Sequence, residues 1–335
     1  MPSLFAAPRA NARLPVSLVT GFLGSGKTTL INRLLRHKDM AATAIVINEF
    51  GEIALDQHFI ERSDGEVVVM ANGCLCCTVQ GDLEAVVGTL FARRDRGEIP
   101  SFDRLLVETT GLADPAPIMQ ILLGQPLLAE TFELDAVVAT VDAMHGLRQL
   151  DEHEEAVKQA ALADRLVITK TDLADAAPLT ERLARLNPAA QIMRLPRDEV
   201  GPAQLFGAAL VDRSGRVRDV EAWLGAHEGE PGHAHLHGIE TFALVIDRPV
   251  SWRHFQRWLT RLKVAHADAL LRVKGILSIE GEAAPIAIHG VHHVFHPPVA
   301  LPWQAADGTS RIVFITRGLS RERVEQDWRA FAATA

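Results

Sequence analysis

Short runs of β-branched and aliphatic residues alternate with helical periodicities through the first two-thirds of the chain. PVSLVT (15–20), TAIVIN (43–48), EVVVM (66–70), RLLVET (104–109), AVVATVD (136–142) and RLVITK (165–170) are nearly uninterrupted apolar strands, and QIMRL (191–195) adds an edge strand. Strands of this kind with helices between them predict a parallel sheet covered on both faces. Helical spacing marks 27–37, 81–95, 152–163 and 178–186, the last opening with Pro178 in its first turn. The texture breaks at 224–238, LGAHEGEPGHAHLHG, which is rich in Gly and His, lacks a hydrophobic period and reads as an interdomain linker or loop. Strand-like ETFALVI (240–246), an amphipathic helix near 251–263, short strands near 270–279, 284–290 and 311–316, and a final helix over 320–332 follow. They predict a small α+β domain. The expected organisation is an α/β domain over 1–223, a linker over 224–238 and an α+β domain over 239–335.

A chain of 335 residues is long enough for two cores. Its 48% apolar and 23% charged composition rules out a disordered, collagenous or coiled-coil protein. The net charge of −8 argues against a nucleic-acid partner, and it is unevenly spread: residues 1–237 carry 22 basic and 33 acidic side chains, residues 238–335 carry 12 and 9. The opening MPSLFAAPRANARLP has no apolar core of secretory length, and no apolar run approaches the roughly 20 residues that span a bilayer, so a cytoplasmic protein without a membrane partner is expected.

Candidate chemistry begins at Gly21-Phe22-Leu23-Gly24-Ser25-Gly26-Lys27-Thr28-Thr29, which fits G-x-x-x-x-G-K-[ST] directly after a strand and directly before a helix. In a P-loop NTPase the backbone N–H groups of Gly21, Gly24, Ser25 and Gly26 close around phosphate oxygens at a helix N-terminus, where Thr29 also lies. Lys27 reaches the β- and γ-phosphates, and the Thr28 hydroxyl ligates Mg²⁺. Lys170-Thr171-Asp172 follows the strand RLVIT at the sheet edge where ligands bind. An Asp172 carboxylate there accepts from the N1–H and exocyclic amine of guanine, which points to GTP, although Thr169 stands where Asn commonly heads such a loop. Glu108 and Gly111, in ETTG, end another strand, where Glu108 would hold the Mg²⁺ water shell or orient the attacking water.

All three cysteines, Cys74, Cys76 and Cys77, fall within four residues, a spacing that staples nothing distant and suits Zn²⁺, Cu⁺ or Co²⁺ ligation. If the segment is extended, Cys74 and Cys76 point the same way, and a turn at Cys77 brings in a third sulfur. Water, a partner protein, or a carboxylate such as Glu49 or Glu52 from NEFGE would complete the shell. Ten of the 14 histidines lie from His227 onward: His233, His235 and His237 alternate in the linker, while His289, His292, His293 and His296 occupy strand-like sequence and read as packed neutral imidazoles. Phe255, Trp258, Leu259 and Leu262 recur at helical spacing and read as core.

With the phosphate loop, NEFGE, GCLCC, ETTGLADPAP and KTD in one order, the chain resembles the CobW-like family of metallochaperone GTPases over nearly its whole length. That family includes zinc chaperones, CobW proteins of the cobalamin pathway and nitrile hydratase activators. The resemblance implies a SIMIBI-class P-loop GTPase domain followed by a small CobW C-terminal domain, with GTP and Mg²⁺ as cofactors. It also implies that Cys74, Cys76 and Cys77 form a metal site whose ion is delivered to a client metalloprotein. The leading expectation is a slow GTPase whose nucleotide state governs capture and release of Zn²⁺ or a similar ion, with a homodimer left open. The alternative is a non-catalytic nucleotide-binding metal buffer or sensor. A small-molecule kinase would need an adenine site, against which the KTD loop speaks.

Overall fold

The computed structural model describes residues 5, 13–48, 60–61, 67–70, 75–78, 83–210, 217, 220–224, 238–303 and 308–332. The chain divides into two compact units, Ala12–Arg182 with Ala190–Ala208, and Ala209–Ala335 with Met1–Asn11 and Leu183–Ala189.

Up to residue 208 the elements run β1 (Leu14–Gly21), α1 (Lys27–Leu35), β2 (Thr43–Asn48), β3 (Ile60–Glu61), β4 (Val67–Met70), β5 (Leu75–Thr78), α2 (Leu83–Asp95), β6 (Arg104–Thr109) and α3 (Ala116–Gly124). Then come α4 (Pro126–Thr131), β7 (Phe132–Asp142), α5 (Gly146–Glu152), α6 (Glu154–Leu162), β8 (Arg165–Thr169), α7 (Ala177–Leu186), β9 (Gln191–Arg194) and α8 (Pro202–Leu205). The strands form one sheet in the order β3-β4-β5-β2-β6-β1-β7-β8-β9. Every pair from β5 to β9 is parallel, as the apolar runs predict, and QIMR forms the expected edge strand β9. Helix α1 buries Leu30, Ile31, Leu34 and Leu35, a one-sided stripe that packs with Val19, Leu106, Val138 and Val167 of the sheet. This is a P-loop NTPase fold.

One strand departs from the expected pattern. EVVVM is expected to run parallel to its neighbours, with the cysteine motif in the loop after it and a turn at Cys77. Instead β4 is antiparallel to β5, and Cys76 and Cys77 are backbone members of β5, in register with Ile45 and Val46 of β2 and with Val68 and Val67 of β4. The reason is connection length. Only residues 71–74 join β4 to β5, and a parallel return needs a crossover of a dozen or more residues.

The elements of the second unit are α9 (Val220–Leu224), β10 (Ile239–Ile246), α10 (Trp252–His266), β11 (Leu270–Leu277), β12 (Ile286–Val291), β13 (Val294–Phe295), β14 (Val299–Ala300), β15 (Ser310–Arg317) and α11 (Arg321–Ala332). Its sheet is antiparallel in the order β10-β15-β11-β12-β13, with β14 beside β12. Phe255, Trp258, Leu259 and Leu262 of α10 are buried as core, and Trp258 packs edge-on against both Phe314 and Trp328. Phe5 is buried against Trp252 in the same cluster. The other core of this unit gathers Leu210, Trp223 and Leu224 with Ala287, Leu301 and Val313. The sequence-based boundary at 223 differs from this arrangement, because Trp223 lies over the second sheet. There the buried Lys274 ammonium donates to the Trp223 carbonyl at 3.0 Å and lies 5.2 Å from its ring centroid. Among the described histidines, His289 packs on Trp223 and touches His296, and His292 Nδ1 lies 3.2 Å from the Ala267 carbonyl oxygen. Among the described residues no helix is long and apolar enough to cross a membrane.

All five tryptophans fall between 223 and 328, and the chain has no tyrosine, so intrinsic fluorescence reports the second unit alone. Phe255 is fully buried with Trp252, Trp258 and Trp328 around it. Phe255→Ala should cost about 3–5 kcal/mol and lower the urea midpoint followed by tryptophan emission. An unchanged midpoint would contradict the aromatic core described here.

Candidate nucleotide and metal site

Four adjacent parallel strands, in the order β6-β1-β7-β8, deliver their carboxyl ends to one edge of the sheet. That edge therefore collects the phosphate loop after β1, ETTG at the end of β6, Asp142 at the end of β7 and KTD after β8. Parallel pairing alone brings these distant sequence motifs together.

The phosphate loop turns back at Gly21, whose φ is +141°. A Cβ there would stand 2.3 Å from Thr140 Oγ1 and 2.5 Å from the Thr140 carbonyl oxygen, so no side chain fits. Ser25, fully buried, shares a 2.7 Å hydrogen bond between its hydroxyl and that of Thr140. Lys27 opens α1 and is 6% exposed, and its ammonium donates to the carbonyls of Gly21 at 2.8 Å and Phe22 at 3.3 Å. Gly26 accepts the first helical bond from Leu30 N–H at 2.9 Å. Thr28 is half-buried beside Lys27, and Thr29 is exposed.

The KTD loop is tied to the phosphate loop at two points. Thr169, at the position where Asn commonly heads such a loop, donates its hydroxyl to the Ser25 carbonyl at 2.7 Å. Lys170 adopts a left-handed backbone, φ 58°, and its ammonium donates to the Gly24 carbonyl at 3.0 Å and to Asp142 Oδ2 at 2.6 Å. Asp142 is 1% exposed, and its other oxygen accepts from Met144 N–H at 2.7 Å. Asp172 is exposed beyond Lys170. Threonine thus supplies a hydroxyl donor to the phosphate loop, and the departure from Asn leaves the two loops bonded.

Glu108 is buried on β6, in register with Val19 of β1 and Ile47 of β2. Next to it, Thr109 donates to the Thr20 hydroxyl at 2.9 Å. Gly111 is buried at the turn that follows. Two residues not singled out from the sequence take part. Asp142 anchors Lys170, and a carboxylate ending an apolar strand was the available signal for it. Gln159 of α6 holds the loop after ETTG, and on a helix with acidic and basic neighbours it carries no signal of its own.

The metal candidates are not brought together in what the structure describes. Glu49, Glu52 and Cys74 lie outside the described residues, as do His233, His235 and His237, and Cys76 and Cys77 are described only as backbone of β5. Among the described residues no group of three or more His, Cys, Asp or Glu side chains forms a metal site.

Thr169→Ala leaves the buried Ser25 carbonyl without its hydroxyl donor. It should cost about 1–3 kcal/mol in calorimetric unfolding, while Thr169→Ser should recover most of the loss. Equal behaviour of the two variants would remove the hydroxyl from the argument.

The architecture agrees with comparisons to known proteins. Residues 15–194 match the family CobW/HypB/UreG, nucleotide-binding domain, and residues 239–332 match the cobalamin synthesis protein cobW C-terminal domain. The chain is 33% identical to zinc chaperone YjiA of Escherichia coli (strain K12), with 93% of this chain and 96% of that protein covered. It is 31% identical to zinc chaperone CobW of Pseudomonas aeruginosa, over 96% and 92% of the two chains. It is 27% identical to zinc-regulated GTPase metalloprotein activator 1 of Saccharomyces cerevisiae, over 94% and 82%. The crystal structure of Zn(II)-bound YjiA GTPase superposes with a TM-score of 0.78 at 32% identity, covering 95% of this chain and 99% of that one. With both of its units matched and its phosphate-loop edge intact, the chain belongs to the CobW/HypB/UreG family and carries the cobW C-terminal domain.

Proposed function

We propose that this chain is a GTP-hydrolysing metallochaperone that takes Zn²⁺ as cargo at Cys74, Cys76 and Cys77 and passes it to a client metalloprotein under nucleotide control. The observation that carries the reading is the closure of the phosphate loop and the KTD loop on each other through Thr169, Lys170 and Asp142. The names of the relatives, zinc chaperones and a zinc-regulated GTPase, support zinc and GTP as its ligands.

In this reading the phosphates of GTP lie on the backbone of Gly21–Thr29. Lys27, which bonds the Gly21 and Phe22 carbonyls of its own loop, supplies the positive charge that the transferring phosphoryl group needs. Asp172 selects guanine. The Thr28 hydroxyl and the Glu108 carboxylate suit Mg²⁺ or its water shell, and the ion, when bound, neutralises charge on the β- and γ-phosphate oxygens. Glu108, held at the end of β6, also orients the attacking water. Thiolates suit Zn²⁺, with Co²⁺ as a second cargo, and Glu49 or Glu52 completes the shell. The cysteine strand β5 pairs directly with β2, whose carboxyl end leads into NEFGE, so a nucleotide-ordered loop there can close or open the metal shell.

Lys27→Ala should lower GTP turnover by about 10²–10³-fold, the loss typical of one preorganised electrostatic group, with secondary structure retained. Unchanged turnover in the folded variant would end the phosphate-loop assignment. GTP should bind at least about fivefold better than ATP, because adenine leaves the Asp172 acceptor unpaired at about 1–3 kcal/mol. Equal calorimetric affinities would revive an adenine-nucleotide enzyme.

The central test is a zinc titration in the GDP state and in the state of a non-hydrolysable GTP analogue, at one pH. We expect affinities that differ by about 1–3 kcal/mol, with the same coupling seen when nucleotide is titrated against zinc. Cys76→Ser with Cys77→Ser should erase that coupling and spare metal-free GTP binding. The zinc-bound state of a YjiA variant with two cysteines and a glutamate replaced by alanine makes stoichiometry, and not mere presence of zinc, the quantity to record. Identical affinities in both nucleotide states would leave two independent binding activities.

A further inference from the structure

We infer that Gln159 is a positioning residue that sets the ETTG loop for the terminal phosphate of a nucleoside triphosphate; this rests on the nucleotide site proposed above. Gln159 is 1% exposed on α6. Both N–H groups of its carboxamide are spent on one loop, donating to the Gly111 carbonyl at 3.1 Å and to the Ala113 carbonyl at 2.9 Å. Its amide oxygen is buried and has no hydrogen-bond partner among the described residues. A flipped amide would set that oxygen against two carbonyls, so only the donating orientation holds the loop. A buried amide with an idle acceptor is costly to keep, and its two donated bonds are what the position provides.

The loop held in this way lies against the phosphate loop. A Cβ on Gly111 would stand 2.7 Å from Leu23 Cδ2 and 2.8 Å from Leu23 N, so the two backbones touch. Fixing the Gly111 carbonyl therefore fixes the spacing between ETTG and the phosphate loop. The same helix bears on both sides of that contact: at its N-cap His153 stacks on Phe22, with ring centroids 4.5 Å apart and planes 23° from parallel. Beside Gln159, Lys158 donates to Asp114 Oδ2 at 2.9 Å, and Asp114 Oδ1 accepts from Ala116 N–H at the start of α3. Helix α6 is thus a rigid spacer between the loop that cradles phosphates and the loop that follows Glu108. A diphosphate needs only the first of these loops. A triphosphate needs both at a set distance.

Gln159→Met keeps the length of the side chain and removes both donors. Calorimetry on the full chain should show GDP affinity within about twofold of wild type, and affinity for a non-hydrolysable GTP analogue lower by about tenfold, the loss that one or two neutral hydrogen bonds carry. Equal losses for the two nucleotides, or none for either, would reduce Gln159 to a packing residue and overturn the inference. Hydrogen exchange of the wild-type chain gives a reading that does not need the variant to fold. Peptides covering 110–116 and 154–162 should slow together on adding the analogue and stay unchanged with GDP. Protection confined to 110–116 would remove α6 as the support. A wild-type chain that binds neither guanine nucleotide overturns the nucleotide site itself, whereas selective binding by wild type that survives in Gln159→Met overturns only the role given to Gln159.

Discussion

A lysine ammonium cannot be buried without acceptors, and the acceptors of Lys27 are carbonyls of its own loop. The loop must therefore curl around the charge, and the curl brings Gly21 so near Thr140 that β1 and β7 must be immediate neighbours. Once β1 lies between β6 and β7, the ends of β6, β7 and β8 follow on the same edge. The hydrogen bonds of Ser25, Thr169, Lys170 and Asp142 then tie those ends into one polar network. Each of these groups is a backbone carbonyl, hydroxyl or charge that would be expensive to bury alone.

Much of this edge was legible in the chain itself. A phosphate loop needs glycine where backbones touch and lysine where charge develops, and few sequences satisfy both between a strand and a helix. The parallel sheet was legible because strands buried on both faces have no polar side to display. Strand β5 was not. Its residues, Leu75 to Thr78, are dominated by two cysteines whose ligand chemistry suits a loop as well as a strand, and the short return from β4 settles the direction of the pairing only once β5 is known to be a strand. Helix α3, APIMQILLG, was equally hidden, because its largely apolar sequence offers little amphipathic contrast. Gln159 was invisible for the opposite reason: a single amide on a helix with charged neighbours looks like a solvated residue until the loop that it holds is seen.

The second unit follows simpler rules. Its helix α10 carries one apolar stripe, and that stripe meets the aromatic face of an antiparallel sheet, so period and burial agree position by position. His289 of β12 packs beside Trp223 and touches His296, in keeping with a structural role for imidazole rings next to strands.

Lys274 has a consequence for the Gly- and His-rich stretch between 224 and 238. By bonding the Trp223 carbonyl it pins α9 to the second sheet, while the Gly238 carbonyl, just before β10, accepts at 2.7 Å from Gly318 N–H, just after β15. Leu224 and Gly238 therefore belong to the same unit, and the division between the two units falls earlier in the chain, between Ala208 and Ala209, well before the change in sequence texture.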